Sequence, residues 1–186
     1  GLRAHREAVQ FVAQDPDDQL FAADVFRDVS FGPINLGLPD EQVRERVAHA
    51  LEVLSITDLA DRPIHELSYG QRKRVAMAGA MAMQPCVLLM DEPTAGMNPQ
   101  ETRQAEELIF KIRDSGLAIV VIEHDMRFIF NLCDRVCCLV RGEVLVQGSG
   151  DVVQNDPRVI EAYIGSPAED LPATGADTPE PGTDAG

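Results

Sequence analysis

Short apolar runs alternate with amphipathic segments in the second half of the chain. Residues 87–90 and 117–122 form continuous apolar runs, which are typical of strands buried in a sheet. Between them, residues 100–115 have apolar positions at helical spacing, and Gly116 follows where a helix often ends. Because buried strands that alternate with amphipathic helices favour a parallel sheet covered on both faces, the pattern predicts an α/β fold.

The remaining patterns predict further elements around these strands. The alternating residues 7–13 predict a strand that runs into a Gln-Asp-Pro loop at 14–16. Three segments have helical spacing: 40–54, 71–83 and 126–133. Near the end of the chain, residues 135–140 and 143–147 predict two paired strands around an Arg-Gly turn.

These elements divide the chain into predicted parts. We expect residues 1–16 and 86–165 to form one α/β core, with residues 17–85 as a mostly helical insertion between its two pieces. Residues 166–186 contain four prolines, five acidic residues and no basic residue, so we expect them to form a disordered acidic tail.

Composition and charge argue against several classes of protein. The 186 residues include 16 Lys and Arg but 31 Asp and Glu, so a free-standing nucleic-acid-binding protein is not expected. The longest apolar run, 75–83, is shorter than the roughly 20 residues that span a bilayer, and residues 1–6 lead into no apolar core typical of a signal peptide. The four cysteines lack zinc-site spacing, so we expect buried, reduced thiols in a cytosolic protein.

Two carboxylates stand where the apolar run at 87–90 ends. We expect Asp91 and Glu92 to reach the crevice in which open α/β sheets bind ligands, with their side chains on opposite sides of the strand. One carboxylate could hold a Mg²⁺ ion while the other orients or deprotonates a water molecule. A solvated strand end beside a helix cap would account for the same two residues.

The sequence Leu-Ser-Tyr-Gly-Gln at 67–71 has two interpretations. Ser68 and Gln71 have the spacing of a capping box, which is enough to begin a helix. However, three basic residues follow in the first turn, where positive charge opposes the helix dipole. A bound phosphate would relieve this conflict, because a helix N-terminus has free N–H groups and Gly70 would allow the backbone to approach closely.

Two further polar residues follow predicted strands. Gln14 comes after the strand at 7–13, and His124 comes after the apolar run at 117–122. Both would reach the same sheet edge as Asp91, because parallel strands end at one edge. Taken alone, a histidine at such a position is more often a cap or a packed ring than a functional group.

Together, these residues resemble the motifs of the ATP-binding subunits of ABC transporters over about residues 7–165. The sequence at 67–71 resembles the signature motif of that family, although Tyr69 stands where the family usually has Gly. Asp91 ends a segment that resembles the Walker B strand, and Glu92 resembles the catalytic glutamate that follows it.

Other residues extend this resemblance. Gln14 resembles the Q-loop glutamine and His124 the switch histidine of the family. Residues 14–21, 31–33 and 35–38 resemble the branch of cobalt/nickel and vitamin energy-coupling-factor importers.

The resemblance implies a partial P-loop NTPase (RecA-like) fold and two subunits that close head to tail around ATP and Mg²⁺. Glu92 and His124 would be catalytic, with Glu92 polarising the attacking water. Asp91 and Gln14 would act on the metal, and Gln14 would also contact the nucleotide. The signature motif would contact the nucleotide of the opposite site through four residues: Ser68, Tyr69, Gly70 and Gln71.

The resemblance also implies partners and a location. The chain would be the motor subunit of an importer, a peripheral protein on the cytoplasmic face of the cell membrane. It would form a homo- or heterodimer with another ATP-binding subunit, and residues 25–38 would face a transmembrane transporter subunit. The apolar residues of that segment could equally be ordinary core.

Two departures from the family pattern stand out. The P-loop pattern Gly-x-x-x-x-Gly-Lys-Ser/Thr is missing, since neither Lys73 nor Lys111 has the required glycine before it. We therefore expect a C-terminal fragment of a longer ATPase that does not hold Mg-ATP tightly by itself. Asn98 stands where the family usually has Asp, which could weaken communication between two sites, although Asn before Pro99 still suits a helix N-cap.

Two other functions compete with the motor subunit. One is a non-catalytic, truncated subunit that only donates its signature motif to an intact partner. The other is a DNA-repair ATPase of the coiled-coil type, which is disfavoured because only 53 positions separate Gln14 from Leu67 and no heptad repeat fits between them.

Overall fold

A three-stranded parallel sheet lies in the first of two compact units into which the chain divides after Leu132. The computed structural model describes residues 8–164. The strands, in the order β1–β2–β3, are β1 (Val9–Val12), β2 (Val87–Asp91) and β3 (Ala118–Ile122). Val9 lies opposite Val87, which in turn lies opposite Ala118. The prediction of a parallel α/β sheet is confirmed.

Helices connect these strands. Between β1 and β2 lie α1 (Val25–Asn35), α2 (Asp40–Val53) and α3 (Tyr69–Ala82). Short 3-10 helices lie at Pro16–Asp18, Thr57–Leu59 and Ile64–Glu66. Helix α4 (Pro99–Asp114) joins β2 to β3, and α5 (Met126–Leu132) follows β3. Helices α2 to α5 thus lie where helical spacing predicts them, whereas α1 lies in a stretch with no clear periodicity.

Carboxylate side chains fix the entry into α1. Asp24 caps the helix, because its side chain accepts a hydrogen bond from the N–H of Arg27. The buried carboxylate of Asp28 accepts hydrogen bonds from the N–H groups of Phe21 and Ala22, at 2.9 and 2.8 Å. Since buried carboxylates need hydrogen-bond donors, Asp28 determines the path of the loop that leads from the sheet to α1.

The two faces of the sheet differ in exposure. On one face, Leu88 and Met90 of the central strand are almost completely buried, at 0% and 1% exposed. On the other face, Phe11 is 47% and Val120 50% exposed. The expectation that helices cover both faces is therefore wrong for the described part of the chain. The described helices do not cover the second face closely enough to bury its side chains. Asp91 ends β2 on the more exposed face.

The second unit begins at Cys133. Strands β4 (Val136–Val140) and β5 (Glu143–Gly148) pair antiparallel, which confirms the predicted paired strands. The turn between them has positive φ at both Arg141 and Gly142, as a tight two-residue hairpin turn requires. Helices α6 (Gly150–Gln154) and α7 (Pro157–Val159) follow, and a π-helical turn lies at Ile160–Ile164.

Some sequence predictions remain outside these observations. The tail predicted at 166–186 lies beyond the described residues, and the predicted division at 16, 85 and 165 stays a prediction. Within residues 8–164, no helix is both long and apolar enough to span a membrane.

The prediction of buried thiols is wrong for Cys86 and Cys137, which are exposed, and holds for Cys138. Cys86 immediately precedes β2 and Cys137 lies in the two-stranded hairpin, where side chains that point away from the core meet solvent.

Candidate functional site

Three of the predicted site residues meet at the carboxyl edge of the parallel sheet. Gln14 follows β1, Glu92 follows β2 and His124 follows β3, so the parallel topology brings them together. The Nε2 of Gln14 donates a hydrogen bond of 2.7 Å to Oε2 of Glu92. Nδ1 of His124 lies 3.6 Å from Oε1 of Glu92. We call Gln14, Glu92 and His124 the sheet-edge cluster.

The backbone of Glu92 is unusual. Its φ is +41°, in the left-handed region that non-glycine residues adopt at a cost of about 1–3 kcal/mol. Its N–H donates to the carbonyl oxygen of Ile122 at 2.9 Å, and its own carbonyl accepts from the N–H of Ala95 at 3.1 Å. These contacts hold the residue between β3 and the following turn, and they direct its carboxylate towards Gln14 and His124.

Asp91 precedes Glu92 and points to the other side of the strand. It pairs with Ile122 in the sheet, and among the described residues no side chain or backbone group donates a hydrogen bond to its carboxylate. Residues 8–164 contain no cluster of three His, Cys, Asp or Glu side chains that could enclose a metal. One carboxylate with an open side nevertheless fits Mg²⁺, which is usually bound by one or two carboxylates together with phosphate oxygens and water.

The turn at residues 68–71, which we call the signature turn, begins α3. The Oγ of Ser68 accepts from the N–H of Gln71, and the side chain of Gln71 accepts from the N–H of Ser68. The predicted capping box is therefore confirmed. Ser68 Oγ also donates to Oε1 of Glu101 at 2.8 Å. A Cβ on Gly70 would lie 2.7 Å from Cδ of the same Glu101, so a glycine allows this close approach.

Tyr69 connects the signature turn to the sheet edge. Its hydroxyl donates to the carbonyl oxygen of Gln14 at 3.3 Å. Its ring packs against Gly96, where a Cβ would lie only 2.9 Å from the ring and where φ is +74°. Burial raises the pKa of Tyr69, and the charges of Asp15 and Asp17 raise it further. The phenol therefore stays protonated and able to donate this hydrogen bond.

The basic residues after the signature turn have partners within the chain. Nε of Arg72 lies 2.9 Å from a carboxylate oxygen of Asp17. Lys73 is completely buried, and its Nζ donates to the carbonyl oxygen of Glu92 at 2.6 Å. Burial lowers the pKa of Lys73, while nearby carboxylates oppose that shift. Positive charge at the start of α3 suggested a bound anion. At Arg72 and Lys73, oxygen atoms of the protein itself already contact this charge.

Two residues of this region were missed by sequence reasoning, Lys73 and Glu123. The side chain of Glu123 is 1% exposed and accepts hydrogen bonds from the hydroxyl and N–H of Thr94. Its Oε2 lies 3.5 Å from Nδ1 of His124, so the imidazole stands between two carboxylates. The position of Glu123 at the end of β3 could have indicated it, whereas no local pattern marks Lys73 as a buried lysine.

Comparison with protein families identifies the class to which this fold and site belong. The family model described as ABC transporter matches residues 1–95. A second model, described as Branched-chain amino acid ATP-binding cassette transporter, matches residues 143–169. The chain belongs to the ABC transporter family, as the resemblance of its motifs implies.

Among individual proteins, the chain is similar to ATP-binding subunits of one branch of this family. It is 52% identical over 151 residues to the cobalt import ATP-binding protein CbiO of Rhodobacter capsulatus, covering 81% of this chain and 54% of that protein. It is 42% identical over 161 residues to the energy-coupling factor transporter ATP-binding protein EcfA3 of Clostridium perfringens, covering 86% and 56%. The chain spans about half the length of the curated relatives it matches.

Solved structures show the same relationship. The structure of cbiO1 from Clostridium perfringens, described as part of the ABC transporter complex cbiONQ, matches with a TM-score of 0.77 at 41% identity. That match covers 86% of this chain and 64% of cbiO1. The ADP conformation of MJ1267, an ATP-binding cassette of an ABC transporter, matches with a TM-score of 0.74 at 26% identity, covering 88% and 71%. The predicted fold class is therefore confirmed.

Proposed function

We propose that this chain is part of the ATP-hydrolysing motor subunit of an importer of the cobalt/nickel or vitamin energy-coupling-factor type. The observation that carries the proposal is the meeting of Gln14, Glu92 and His124 at one sheet edge, in a chain that belongs to the ABC transporter family. The similarity to CbiO and EcfA3 favours this branch of the family.

Glu92 polarises the water that attacks the γ-phosphate of ATP. Its Oε2 is held by Gln14 and its Oε1 faces His124, so two side chains fix the direction of the carboxylate. A general base is effective when it is held within hydrogen-bond reach of the proton that it takes. His124 and Gln14 contact the γ-phosphate or the same water. Such contacts matter because most of the catalysis in phosphoryl transfer comes from positioning and charge stabilisation.

Asp91 provides a carboxylate for the Mg²⁺ ion that accompanies ATP. The ion, when bound, neutralises charge on the phosphate oxygens. Asp91 lies one residue before Glu92 on the opposite side of β2, so metal binding and water activation use separate side chains. Gln14 uses its amide nitrogen on Glu92, which leaves the amide oxygen as a ligand for the metal.

The signature turn acts on the nucleotide of a facing subunit. Ser68 Oγ and the N–H groups that begin α3 are donors suited to a γ-phosphate. Ser68 now donates to Glu101, so the phosphate takes the place of this carboxylate when two subunits close head to tail. Gly70 keeps the backbone accessible, and Tyr69 and Gln71 complete the contact surface.

Two kinds of protein partner follow from this function. One is a second ATP-binding subunit, identical or different, that supplies the facing signature turn. The other is a transmembrane subunit that docks on exposed apolar residues near α1. Phe21 and Phe31 are 65% and 48% exposed and pack edge to face, and Ile34 is 57% exposed. Exposed apolar patches of this kind mark interaction sites, and docking of such a transmembrane subunit would place the chain peripherally on the cytoplasmic face of the membrane.

The 186 residues contain no P-loop, so we expect them to bind Mg-ATP weakly when they are alone. Isothermal titration calorimetry of the chain with Mg-ATP tests this expectation. A dissociation constant on the order of micromolar would contradict it, because the backbone nest and lysine that normally hold the β- and γ-phosphates are missing.

Restoring a P-loop tests the proposed activity. We define the P-loop-restored protein as these 186 residues joined in frame behind the P-loop segment of a homologous ATP-binding subunit. We expect it to hydrolyse ATP in the presence of Mg²⁺. If it binds Mg-ATP but does not hydrolyse it, the motor function is wrong and the chain is better described as a non-catalytic subunit that lends its signature turn to an intact partner.

A further inference from the structure

One buried cation lies directly behind the sheet-edge cluster. Lys73 is completely buried, although it lies in α3 just over one turn from Ser68. Its Nζ donates a 2.6 Å hydrogen bond to the carbonyl oxygen of Glu92 and lies 5.7 Å from the centre of the Tyr69 ring. Because burial of an ammonium group is costly, a completely buried lysine needs a specific compensating interaction.

The atom that Lys73 contacts belongs to a strained residue. Glu92 has a φ of +41°, and its carbonyl oxygen also accepts from the N–H of Ala95. A carbonyl oxygen has two lone pairs, so these two donors together satisfy it. Strained backbone persists only where the surrounding structure determines it strongly, and Lys73 supplies one of the two hydrogen bonds that fix this carbonyl.

We propose that Lys73 is a positioning residue for Glu92, which it holds through the Glu92 carbonyl so that the carboxylate faces Gln14 and His124. This inference rests on the proposed function of Glu92 as the group that polarises water. Since Lys73 and Ser68 lie on the same helix, the lysine also joins the signature turn of one nucleotide site to the carboxylate of the other. A shift of α3 on contact with a facing phosphate therefore reaches Glu92 through one hydrogen bond.

The charge around Lys73 agrees with this role. Burial lowers its pKa, and the carboxylates of Glu123, Glu92, Asp15 and Asp91 act in the opposite direction and favour the ammonium form. An apolar side chain of similar length would fill the same space but could not donate to the carbonyl. The hydrogen bond, rather than the filling of space, is thus the property that the proposal assigns to Lys73.

The first experiment uses the unmodified 186-residue chain. The chain has only two lysines, and Lys111 is exposed, so it is an internal reference. In a sample with ¹⁵N-labelled lysine side chains and ¹³C-labelled carbonyl groups, we expect the Lys73 ammonium to exchange slowly with water. We also expect a scalar coupling across the hydrogen bond from its Nζ to the Glu92 carbonyl carbon. Fast exchange equal to that of Lys111, without this coupling, would overturn the proposal.

The second experiment removes the donor. In Lys73→Met we expect the Glu92 carbonyl signal and the side-chain amide signals of Gln14 to shift, because the Gln14–Glu92 hydrogen bond depends on where Glu92 is held. Lys111→Met is the matched control and should leave these signals in place. Lys73→Arg, which keeps donors, should restore them in part. Unchanged Glu92 and Gln14 signals in a folded Lys73→Met chain would mean that Lys73 only fills space, and the proposal would fail.

These measurements need no nucleotide. If the P-loop-restored protein does not hydrolyse ATP but the hydrogen bond between Lys73 and Glu92 is observed, the proposed function fails and the contact survives only as a structural one. If ATP is hydrolysed but the coupling is missing, the positioning role of Lys73 fails and the proposed function stands.

Discussion

The sheet-edge cluster and the signature turn are built in different ways. In the cluster, Gln14, Glu92 and His124 come from three separate strand ends and meet only because the strands are parallel neighbours. In the signature turn, Ser68 and Gln71 lie three positions apart and satisfy each other through a local capping box. The cluster therefore depends on the tertiary fold, whereas the turn forms from local sequence.

This difference separates two tasks. A strained residue such as Glu92, held by distant partners, gives a carboxylate one fixed direction, which suits catalysis. A helix start with a locally completed cap can exchange the carboxylate of Glu101 for another anion without losing its own structure. We infer that the cluster is the part that performs chemistry, and that the turn is the part that senses a partner's nucleotide.

The largest expected effect comes from breaking the cluster. In the P-loop-restored protein, Glu92→Gln should lower the rate of ATP hydrolysis by about 10²- to 10⁴-fold, because general-base assistance is lost. Binding of Mg-ATP, measured by calorimetry, should remain. Glu107→Gln, at an exposed position of α4, is the matched control and should keep the original rate. Near-normal hydrolysis by Glu92→Gln would contradict the assigned role.

A smaller loss is expected when the turn is changed. Ser68→Ala removes a donor to a charged group, so hydrolysis by the P-loop-restored protein should fall by about tenfold or more. Loss of the N-cap should also lower the free energy of unfolding by about 1 kcal/mol, measured by urea denaturation. Loss of stability with an unchanged rate would mean that Ser68 is a cap and nothing more.

Tyr69 connects the signature turn to the sheet edge, and the packing of its ring can be tested at Gly96. Gly96→Ala should lower the free energy of unfolding by about 1–2 kcal/mol, because φ is +74° and a Cβ would lie 2.9 Å from the Tyr69 ring. Gly116→Ala is the matched control, since φ there is +90° and nothing lies within 4 Å. Gly96→Ala should lower the free energy of unfolding more than Gly116→Ala does, and this difference should disappear in a Tyr69→Gly background. A difference that persists there would show that the ring is not responsible.

The smallest effect is expected at the start of α4. Asn98 caps this helix by accepting from the N–H groups of Gln100 and Glu101, both at 3.0 Å. Asn98→Asp keeps these bonds and adds a charge that the helix dipole favours by about 0.3–1 kcal/mol. In the P-loop-restored protein it should modestly raise ATP hydrolysis by improving communication between the two sites. An unchanged rate would argue against that effect of residue 98.

Local features of the molecule were the ones that sequence could predict. The capping box at Ser68 follows from spacing, the N-cap at Asn98 follows from the Asn-Pro pair, and the parallel strands follow from short apolar runs. The placement of Gln14 and His124 at the same sheet edge as Asp91 was predictable because parallel strands end at one edge, whereas their contacts with Glu92 were not. Family resemblance then assigned chemistry to these residues, which spacing alone left open.

Features that depend on packing could not be predicted. Lys73 lies in a basic stretch that is typical of an exposed helix start, and only the packing of α3 beside the sheet buries it against Glu92. The exposed face of the sheet also depends on packing, in this case on packing that is missing. Phe11 and Val120 belong to strands whose apolar character predicts burial, yet the described residues do not cover them.

The most direct test of the central claim combines the two impaired variants, Glu92→Gln and Ser68→Ala. If two copies of this chain face each other, and Glu92 of one copy and Ser68 of the other serve the same nucleotide, then mixing Glu92→Gln with Ser68→Ala P-loop-restored protein creates dimers with one intact site. We predict that the mixture hydrolyses ATP well above the rate of either variant alone. A mixture no faster than its two components would contradict the account, because it would place both residues in the same subunit's site or in no shared site.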